Sequence, residues 1–158
     1  MPDYTCYCGA GFYISYKKIK QHISGMQKFC GSRCLLKYIK DQPVTDEFKL
    51  DHITPSKIAE PYEFWDEELQ MYFRSSYESI VGRFLDRHEF KWVYEMWTIN
   101  IKESQYTPDF WLNDFDIFLE VKGLWGVGSK KKLYQAYKHG YHILLLPDYL
   151  IQKMRKDK

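Results

Sequence analysis

The sequence carries little excess charge of either sign. Its 23 Lys and Arg residues nearly balance 21 Asp and Glu residues, leaving a net charge of +2 over 158 residues. This balance gives no bulk-charge signal for a protein that binds nucleic acid. Long apolar runs are also missing, since none approaches the ~20 residues that a membrane-spanning helix needs. We therefore expect no membrane association.

Signal sequences, internal repeats and low-complexity tracts are missing as well. The N-terminus lacks the basic and apolar regions of a secretory signal peptide, so we expect a cytoplasmic protein. Aromatic residues, by contrast, make up 18% of the chain, which argues against a disordered protein. The length suits one core of ~100–150 residues with a small accessory module.

Cysteine is scarce and confined to one end of the chain. The four cysteines, Cys6, Cys8, Cys30 and Cys34, all lie within the first 34 residues. In a reducing compartment such a set favours a metal site over a disulfide framework. Four thiolates suit tetrahedral Zn²⁺, and so small a module depends on its metal to fold. We predict a structural zinc module over residues 1–40.

Two alternatives stay open for this module. His22 could replace one cysteine as a zinc ligand, or the four thiols could be buried and reduced without metal. The module is also rich in lysine, which could contact DNA phosphates or form a solvated surface. The lysines concerned are Lys17, Lys18, Lys20 and Lys28.

The rest of the chain, residues 62–158, is predicted to form an α/β (α+β) domain with a small mixed sheet flanked by helices. Residues 41–61 contain three prolines and no sustained period, which favours a linker or arm. The first two predicted helices cover residues 62–73, with acids on a solvated face, and the stretch from Arg74 to about Leu85. Two more follow, one from the Ser129 N-cap to about His139 and one over residues 148–154. Predicted strands cover residues 90–101, 106–112, 115–122 and 142–146.

Two carboxylates and a lysine stand out in the central predicted strands. Glu120 and Lys122 are two residues apart, so they share one strand face. If residues 106–112 pair antiparallel with residues 115–122, Asp109 lies beside them. Two carboxylates then hold a hard cation such as Mg²⁺, and the ammonium orients an attacking water or stabilises charge on a phosphate. Singly, each residue would suit a turn or a solvated strand edge.

Glu78 has two interpretations. Ser75 precedes it by three residues, which matches the capping box of a helix N-terminus. Glu78 could also reach the Asp109–Glu120 pair as a third carboxylate. The two roles are compatible, because both need the first turn of this helix near the sheet.

Three consecutive lysines open the helix predicted after Ser129. Lys130, Lys131 and Lys132 oppose the helix dipole, an arrangement more readily tolerated where phosphate lies nearby. We predict that they follow a DNA strand. An exposed lysine cluster without a ligand is the alternative.

Four motifs of the second domain form a recognisable set: Arg74-Ser75 with Glu78, Tyr94-Glu95-Met96-Trp97, Tyr106-Thr107-Pro108-Asp109-Phe110, and Glu120-Val121-Lys122-Gly123-Leu124-Trp125. Through them the chain from residue 74 to about 146 resembles the PD-(D/E)xK nuclease superfamily, and within it most closely the phage endonuclease I family of Holliday-junction resolvases. The resemblance implies a restriction-endonuclease-like core and a magnesium-dependent endonuclease that hydrolyses DNA phosphodiester bonds.

Carried over residue by residue, the resemblance implies specific roles. Asp109 and Glu120 would bind the catalytic Mg²⁺ or Mn²⁺, Glu78 would complete the metal site, and Lys122 would assist the attacking water. It further implies branched DNA as substrate, a homodimer with two active sites, and the cytoplasm of a bacterial host if the gene belongs to a phage.

The cysteine module departs from that family and leaves the substrate open. Its pattern resembles treble-clef fingers found beside phage endonucleases, although only Tyr7 separates Cys6 from Cys8. A site-specific homing endonuclease, in which the module selects the target, is the main alternative. A DNA-binding protein with an inactive nuclease fold is a third, and the nuclease subunit of heteromeric transposases is a more distant one.

Overall fold

The protein has an α+β fold, as the sequence predicts. The computed structural model describes residues 4–13, 25–45, 53–56, 63–102, 104–123 and 128–157. The helices are α1 (Ser32–Lys40), α2 (Ser76–Arg87), α3 (Ser129–Lys138) and α4 (Asp148–Lys156). The strands are β1 (Tyr4–Thr5), β2 (Gly11–Phe12), β3 (Ile53–Pro55), β4 (Phe64–Asp66), β5 (Met71–Phe73), β6 (Trp92–Tyr94), β7 (Trp97–Ile101), β8 (Ser104–Tyr106), β9 (Phe110–Leu112), β10 (Ile117–Lys122) and β11 (Ile143–Pro147).

A four-stranded mixed sheet forms the centre, in the order β11-β10-β9-β6. Strand β10 runs parallel to β11 and antiparallel to β9, which is antiparallel to β6. The predicted mixed sheet flanked by helices is therefore confirmed, with β10 as an interior strand.

The described helices include none that is long and apolar enough to cross a membrane.

The two faces of β10 pack against different helices. Ile117, Leu119 and Val121 join a core formed with residues of α1, α2 and α4. On the opposite face Phe118 belongs to a second core, which includes α3 residues Leu133 and Ala136. Because side chains alternate along a strand, Glu120 and Lys122 lie on the α3 face.

Two long strands predicted from the sequence are each divided between two sheets. Residues 90–101 form β6 and β7, and residues 106–112 contribute to β8 and β9, while β7 and β8 belong to a separate sheet of order β3-β7-β8. Glu95 has a left-handed backbone with φ of 44°, which ends β6. Its N–H donates to the Asp109 carbonyl at 2.8 Å. This hydrogen bond thus joins the β6–β7 bend to the segment between β8 and β9.

The prediction of a helix over residues 62–73 is wrong. Strands β4 and β5 form an antiparallel hairpin there, with Gln70 at a left-handed φ of 52° before β5 begins. Asp66, predicted on a solvated face, is fully buried. Its carboxylate accepts the N–H of Leu69 at 2.9 Å within the turn, which favours the hairpin over a helix.

The N-terminal cysteine region packs on the second predicted domain. Tyr149 of α4 donates its hydroxyl to the Phe29 carbonyl at 2.7 Å, and Lys153 donates to the Cys30 carbonyl at 2.5 Å. Strand β3, inside the predicted arm, pairs with β7. The boundaries after residues 40 and 61 stay a prediction. The predicted helix near Ser129 is present, but the N-cap is Gly128, with φ of 77°, and Ser129 is the first helical residue.

Buried Asp66 is expected to be the principal polar anchor of the hairpin. Its carboxylate accepts from the Ser79 hydroxyl and from Arg83 at 2.7 Å. Asp66→Ala should lower the free energy of unfolding by about 3 kcal/mol, because it leaves these donors without a buried acceptor. Urea denaturation measures this change.

Glu68→Ala is the matched control, since Glu68 contacts the same arginine at 3.6 Å but is 42% exposed. It should cost less than about 0.5 kcal/mol. Burial acts to raise the pKa of Asp66, but the Ser79, Leu69 and Arg83 contacts outweigh it and lower the pKa. The stabilisation is therefore present at neutral pH and lost as pH falls through that lowered value. Equal losses for both variants would contradict this role.

Candidate functional site

Asp109 and Glu120 lie side by side on the α3 face of the central sheet. The register pairs Phe110 with Leu119, so the next facing positions along β9 and β10 are Asp109 and Glu120. Asp109 also accepts the N–H of Val121 at 2.6 Å through its carboxylate. Their exposed fractions are only 8% and 4%. The structure therefore brings the two predicted acids together in a buried place.

Both oxygens of the Glu120 carboxylate are held. Lys122 Nζ lies 2.5 Å from Oε1, and the Tyr106 hydroxyl donates to Oε2. Tyr106 comes from β8, the last strand of the neighbouring sheet. Tyr106 opens the motif that contains Asp109, but its contact with Glu120 was not predicted. The signal was available in principle, because a tyrosine buried in a core needs a partner for its hydroxyl.

Burial and neighbouring carboxylates raise the pKa of both acids. Burial raises the pKa of Asp109 well above its usual range, and the charges of Glu120 and Glu78 add to the effect. Burial also raises the pKa of Glu120, although Lys122 and Tyr106 oppose the shift. Burial and mutual repulsion thus disfavour the charged forms of these acids, and the one nearby lysine offsets this only in part. A divalent cation would relieve this repulsion, and carboxylate oxygens are the ligands that Mg²⁺ and Mn²⁺ prefer.

Lys122 remains a cation in these surroundings. Burial acts to lower the pKa of Lys122, but the contact with Glu120 and the charges of Asp109 and Glu78 outweigh it, so the pKa is raised. A lysine held in this state is a fixed positive charge rather than a proton acceptor.

Glu78 performs the predicted capping role. The Ser75 hydroxyl accepts from the Glu78 N–H at 3.4 Å, and Glu78 Oε2 accepts from the Ser75 N–H at 3.1 Å, which confirms the capping box. The same oxygen accepts from the Tyr94 hydroxyl at 2.6 Å. Glu78 is buried, and its charge raises the pKa of both Asp109 and Glu120. It therefore lies close enough to the acid pair to act on it electrostatically.

A second buried glutamate fixes the backbone beside the acids. Glu95 accepts two bonds from Arg74 Nε, at 2.6 and 2.9 Å. Its own N–H donates to the carbonyl of Asp109. Arg74 also donates its backbone N–H to Glu78 Oε2 at 3.1 Å. This arrangement links the start of α2 to the segment that carries Asp109.

The four predicted cysteines also meet. The Sγ atoms of Cys6, Cys8, Cys30 and Cys34 all lie within 4.8 Å of one another. The separation from Cys30 Sγ is 3.9 Å to Cys8 and 3.5 Å to Cys34. Four sulfurs bound to one zinc ion at ~2.3 Å would lie roughly 3.8 Å apart, so the cluster fits tetrahedral Zn²⁺.

The cluster favours thiolate chemistry at Cys6. Burial acts to raise the pKa of Cys6, but backbone N–H groups of Cys30 and Cys8 outweigh it and bring the pKa down to about 7. The Cys30 N–H lies 3.1 Å from Cys6 Sγ. His22 and the lysines at positions 17, 18 and 20 lie outside the described residues, so the alternative zinc ligand stays open.

The three lysines predicted to contact DNA lie on the exposed first turn of α3. Lys131 and Lys132 line a cavity between this helix and the β7–β8 turn, whereas Lys130 is not among the described residues that line it. The structure therefore separates Lys130 from Lys131 and Lys132, although all three were predicted to contact DNA together.

Two phage proteins are similar to part of this chain. Endodeoxyribonuclease 1 of Enterobacteria phage T3 is 45% identical over 64 residues, which are 38% of this chain and 41% of that protein. Endonuclease I of Escherichia phage T7 is 41% identical over 64 residues, 38% of this chain and 42% of that protein. No family model and no solved structure matches. The chain thus spans about two fifths of the length of the curated relatives it matches, and this partial similarity supports the nuclease class predicted from the motifs.

Proposed function

We propose that this protein is a metal-dependent DNA endonuclease. The observation that carries the proposal is the pair of buried carboxylates, Asp109 and Glu120, with the Lys122 ammonium 2.5 Å from one of their oxygens. This arrangement has the composition of a site for phosphodiester hydrolysis. The partial similarity to two phage proteins named as endonucleases supports DNA as the substrate. The Glu-x-Lys spacing supports membership of the PD-(D/E)xK superfamily.

Asp109 and Glu120 would hold Mg²⁺ or Mn²⁺, and we propose that Glu78, whose charge acts on both acids, completes the site. A divalent cation there supplies Lewis-acid stabilisation of phosphate oxygens and a lowered pKa for water. The chain's own residues orient the reaction. Tyr106 and Lys122 fix the two oxygens of Glu120. Lys122, kept protonated, stabilises the negative charge that builds on the phosphate and orients the attacking water.

The substrate that we favour is branched DNA, cut by a homodimer with one site for each strand. This follows from the resemblance to the endonuclease I family of resolvases. A site-specific homing endonuclease is the second candidate, because the cysteine module is an extra element that would select a sequence. Incubation with Mg²⁺ and two labelled DNAs, a four-way junction and a linear duplex, distinguishes them. Paired cuts near the crossover with the duplex spared support the resolvase.

We further propose that the four cysteines bind one structural Zn²⁺. The donors are four sulfurs at spacings that suit a tetrahedron, within a region of short strands and one helix. The zinc would hold the β1–β2 turn against the start of α1. Through Phe29 and Cys30 this region contacts α4, so the metal would support the nuclease core from outside the acid site.

Glu120→Gln is expected to abolish cleavage while DNA binding persists. The substitution keeps the shape of the side chain but removes a charge from the metal site, so the rate should fall by orders of magnitude. A gel assay of labelled DNA with Mg²⁺ measures cutting, and an anisotropy assay measures binding. Glu68→Gln on the exposed hairpin is the control and should cut normally. Near wild-type cleavage by Glu120→Gln would remove Glu120 from the mechanism.

Lys122→Ala tests the lysine separately from the metal ligands. The variant retains the acids and should still bind metal, but cleavage should drop by about 100-fold or more because the positive charge near the phosphate is lost. Lys91→Ala serves as the matched control, since its side chain is 76% exposed and only pairs with Asp114 at 3.4 Å. Unchanged cleavage by Lys122→Ala, with folding verified by circular dichroism, would count against its role.

Purified protein should carry about one zinc ion for each chain, measured by elemental analysis of material never exposed to a chelator. Cys34→Ser should reduce the zinc content and lower the thermal midpoint. Absence of zinc from the unmodified protein would show that the thiols form a reduced cluster instead.

A further inference from the structure

A basic groove lies between helix α3 and the turn that joins β7 to β8. Its cavity has a volume of about 710 Å³. Four lysines line this cavity, which we call the lysine groove. They are Lys102 from the turn, and Lys131, Lys132 and Lys138 from the helix. A second depression of about 440 Å³ shares Lys102 and Lys132 and extends the concave surface along the β7–β8 hairpin. No acidic residue is among the described residues that line either cavity.

The walls of the groove are fixed by the fold. Lys102 occupies a left-handed turn with φ of 45°, which projects it from the end of β7. Lys131 and Lys138 are seven residues apart, so they share one side of α3. The Ser104 hydroxyl donates to Gln135 Oε1 at 3.1 Å and joins β8 to the helix. The Ser104–Gln135 contact therefore holds the helix against the hairpin that carries Lys102.

The groove is adjacent to the acid site. Ser104 and Tyr106 are two residues apart on β8, so their side chains share a face about 7 Å apart. Ser104 lines the groove, whereas Tyr106 contacts Glu120. Along one DNA strand a phosphate recurs about every 3.4 Å of helix axis. The ~7 Å between Ser104 and Tyr106 along β8 therefore corresponds to about two phosphate spacings.

We propose that the lysine groove binds the sugar-phosphate backbone of DNA beside the phosphate that is cut. This inference rests on the proposed function for its ligand. Four cations from two elements suit a run of phosphates better than a single anion. Tyr134 at the rim is 40% exposed, with Lys138 Nζ 5.6 Å from its ring centre. Such a ring can pack against a sugar or base next to the bound backbone.

Lys130 and Lys131 should differ in their effect on DNA binding, although they are adjacent and carry the same charge. Lys131 lines the groove, while Lys130 lies one position earlier on the same exposed turn and does not. Both carry one charge, so a general electrostatic attraction would treat them alike. Phosphate contact within the groove would depend on Lys131 and not on Lys130.

The experiment measures the binding of a labelled linear duplex by Glu120→Gln protein, which keeps the DNA uncut, across a series of NaCl concentrations. Replacing Lys102, Lys131 and Lys132 together with Ala should reduce the slope of log K against log salt by about 2.7, at roughly 0.9 for each lost phosphate contact. Lys131→Ala alone should reduce it by about 0.9, and Lys130→Ala should leave it unchanged.

Two results would contradict DNA binding in the lysine groove. One is an unchanged slope for the triple variant, and the other is an equal change for Lys130→Ala and Lys131→Ala. A triple Lys→Arg variant that keeps the slope shows that charge, not repacking of α3, is responsible. Cleavage by the unmodified protein with Mg²⁺ tests the nuclease proposal separately. Lost binding in the groove variants without any cleavage by the unmodified protein would support the groove and reject the nuclease.

Discussion

The repulsion between two buried carboxylates is the constraint on which the rest of the site depends. Asp109 and Glu120 face each other on adjacent strands, with little access to water. At an effective dielectric constant of ~20, two like charges ~4 Å apart repel by about 4 kcal/mol. The fold opposes this repulsion with one ammonium, one hydroxyl and one backbone N–H. The remaining negative charge is what makes the place suited to a cation.

The elements around this pair explain why the charges can be held there at all. Strand β10 has neighbours on both sides, so its backbone polar groups are paired while its side chains carry the charge. Helix α3 covers the acid face through Leu133 and Ala136, and three helices cover the opposite face. An interior strand between two apolar layers is rigid, and rigidity keeps the side chains of a site in place.

The sequence predicts the elements whose signals are local. Alternation identifies β10 and its apolar face, and the Ser75–Glu78 spacing identifies the start of α2. The acids and cysteines are found because their chemistry depends on residue type. Residue type does not reveal the left-handed bends at Gln70 and Glu95, where tertiary contacts hold residues that seldom adopt that conformation. For that reason the β4–β5 hairpin and the division of two strands were missed.

Tyr106 and the lysine groove illustrate a different limit. Both depend on contacts between elements far apart in sequence, such as Tyr106 with Glu120 and Lys102 with α3. Periodicity within one segment carries no information about which segment it will meet. The capping role of Glu78, by contrast, is determined within four residues and is therefore visible in the sequence.

The hydrogen bond between Glu95 and Asp109 has a mechanical consequence. It joins the two crossings where the chain passes between the three-stranded and the four-stranded sheet. The two sheets are therefore joined at the backbone of an acid-site residue. A load applied at the β7–β8 turn, where Lys102 projects, travels along both strands to that junction. The same hairpin is tied to β10 by the Tyr106–Glu120 hydrogen bond and to α3 by the Ser104–Gln135 hydrogen bond, so tension on it would reach all three elements.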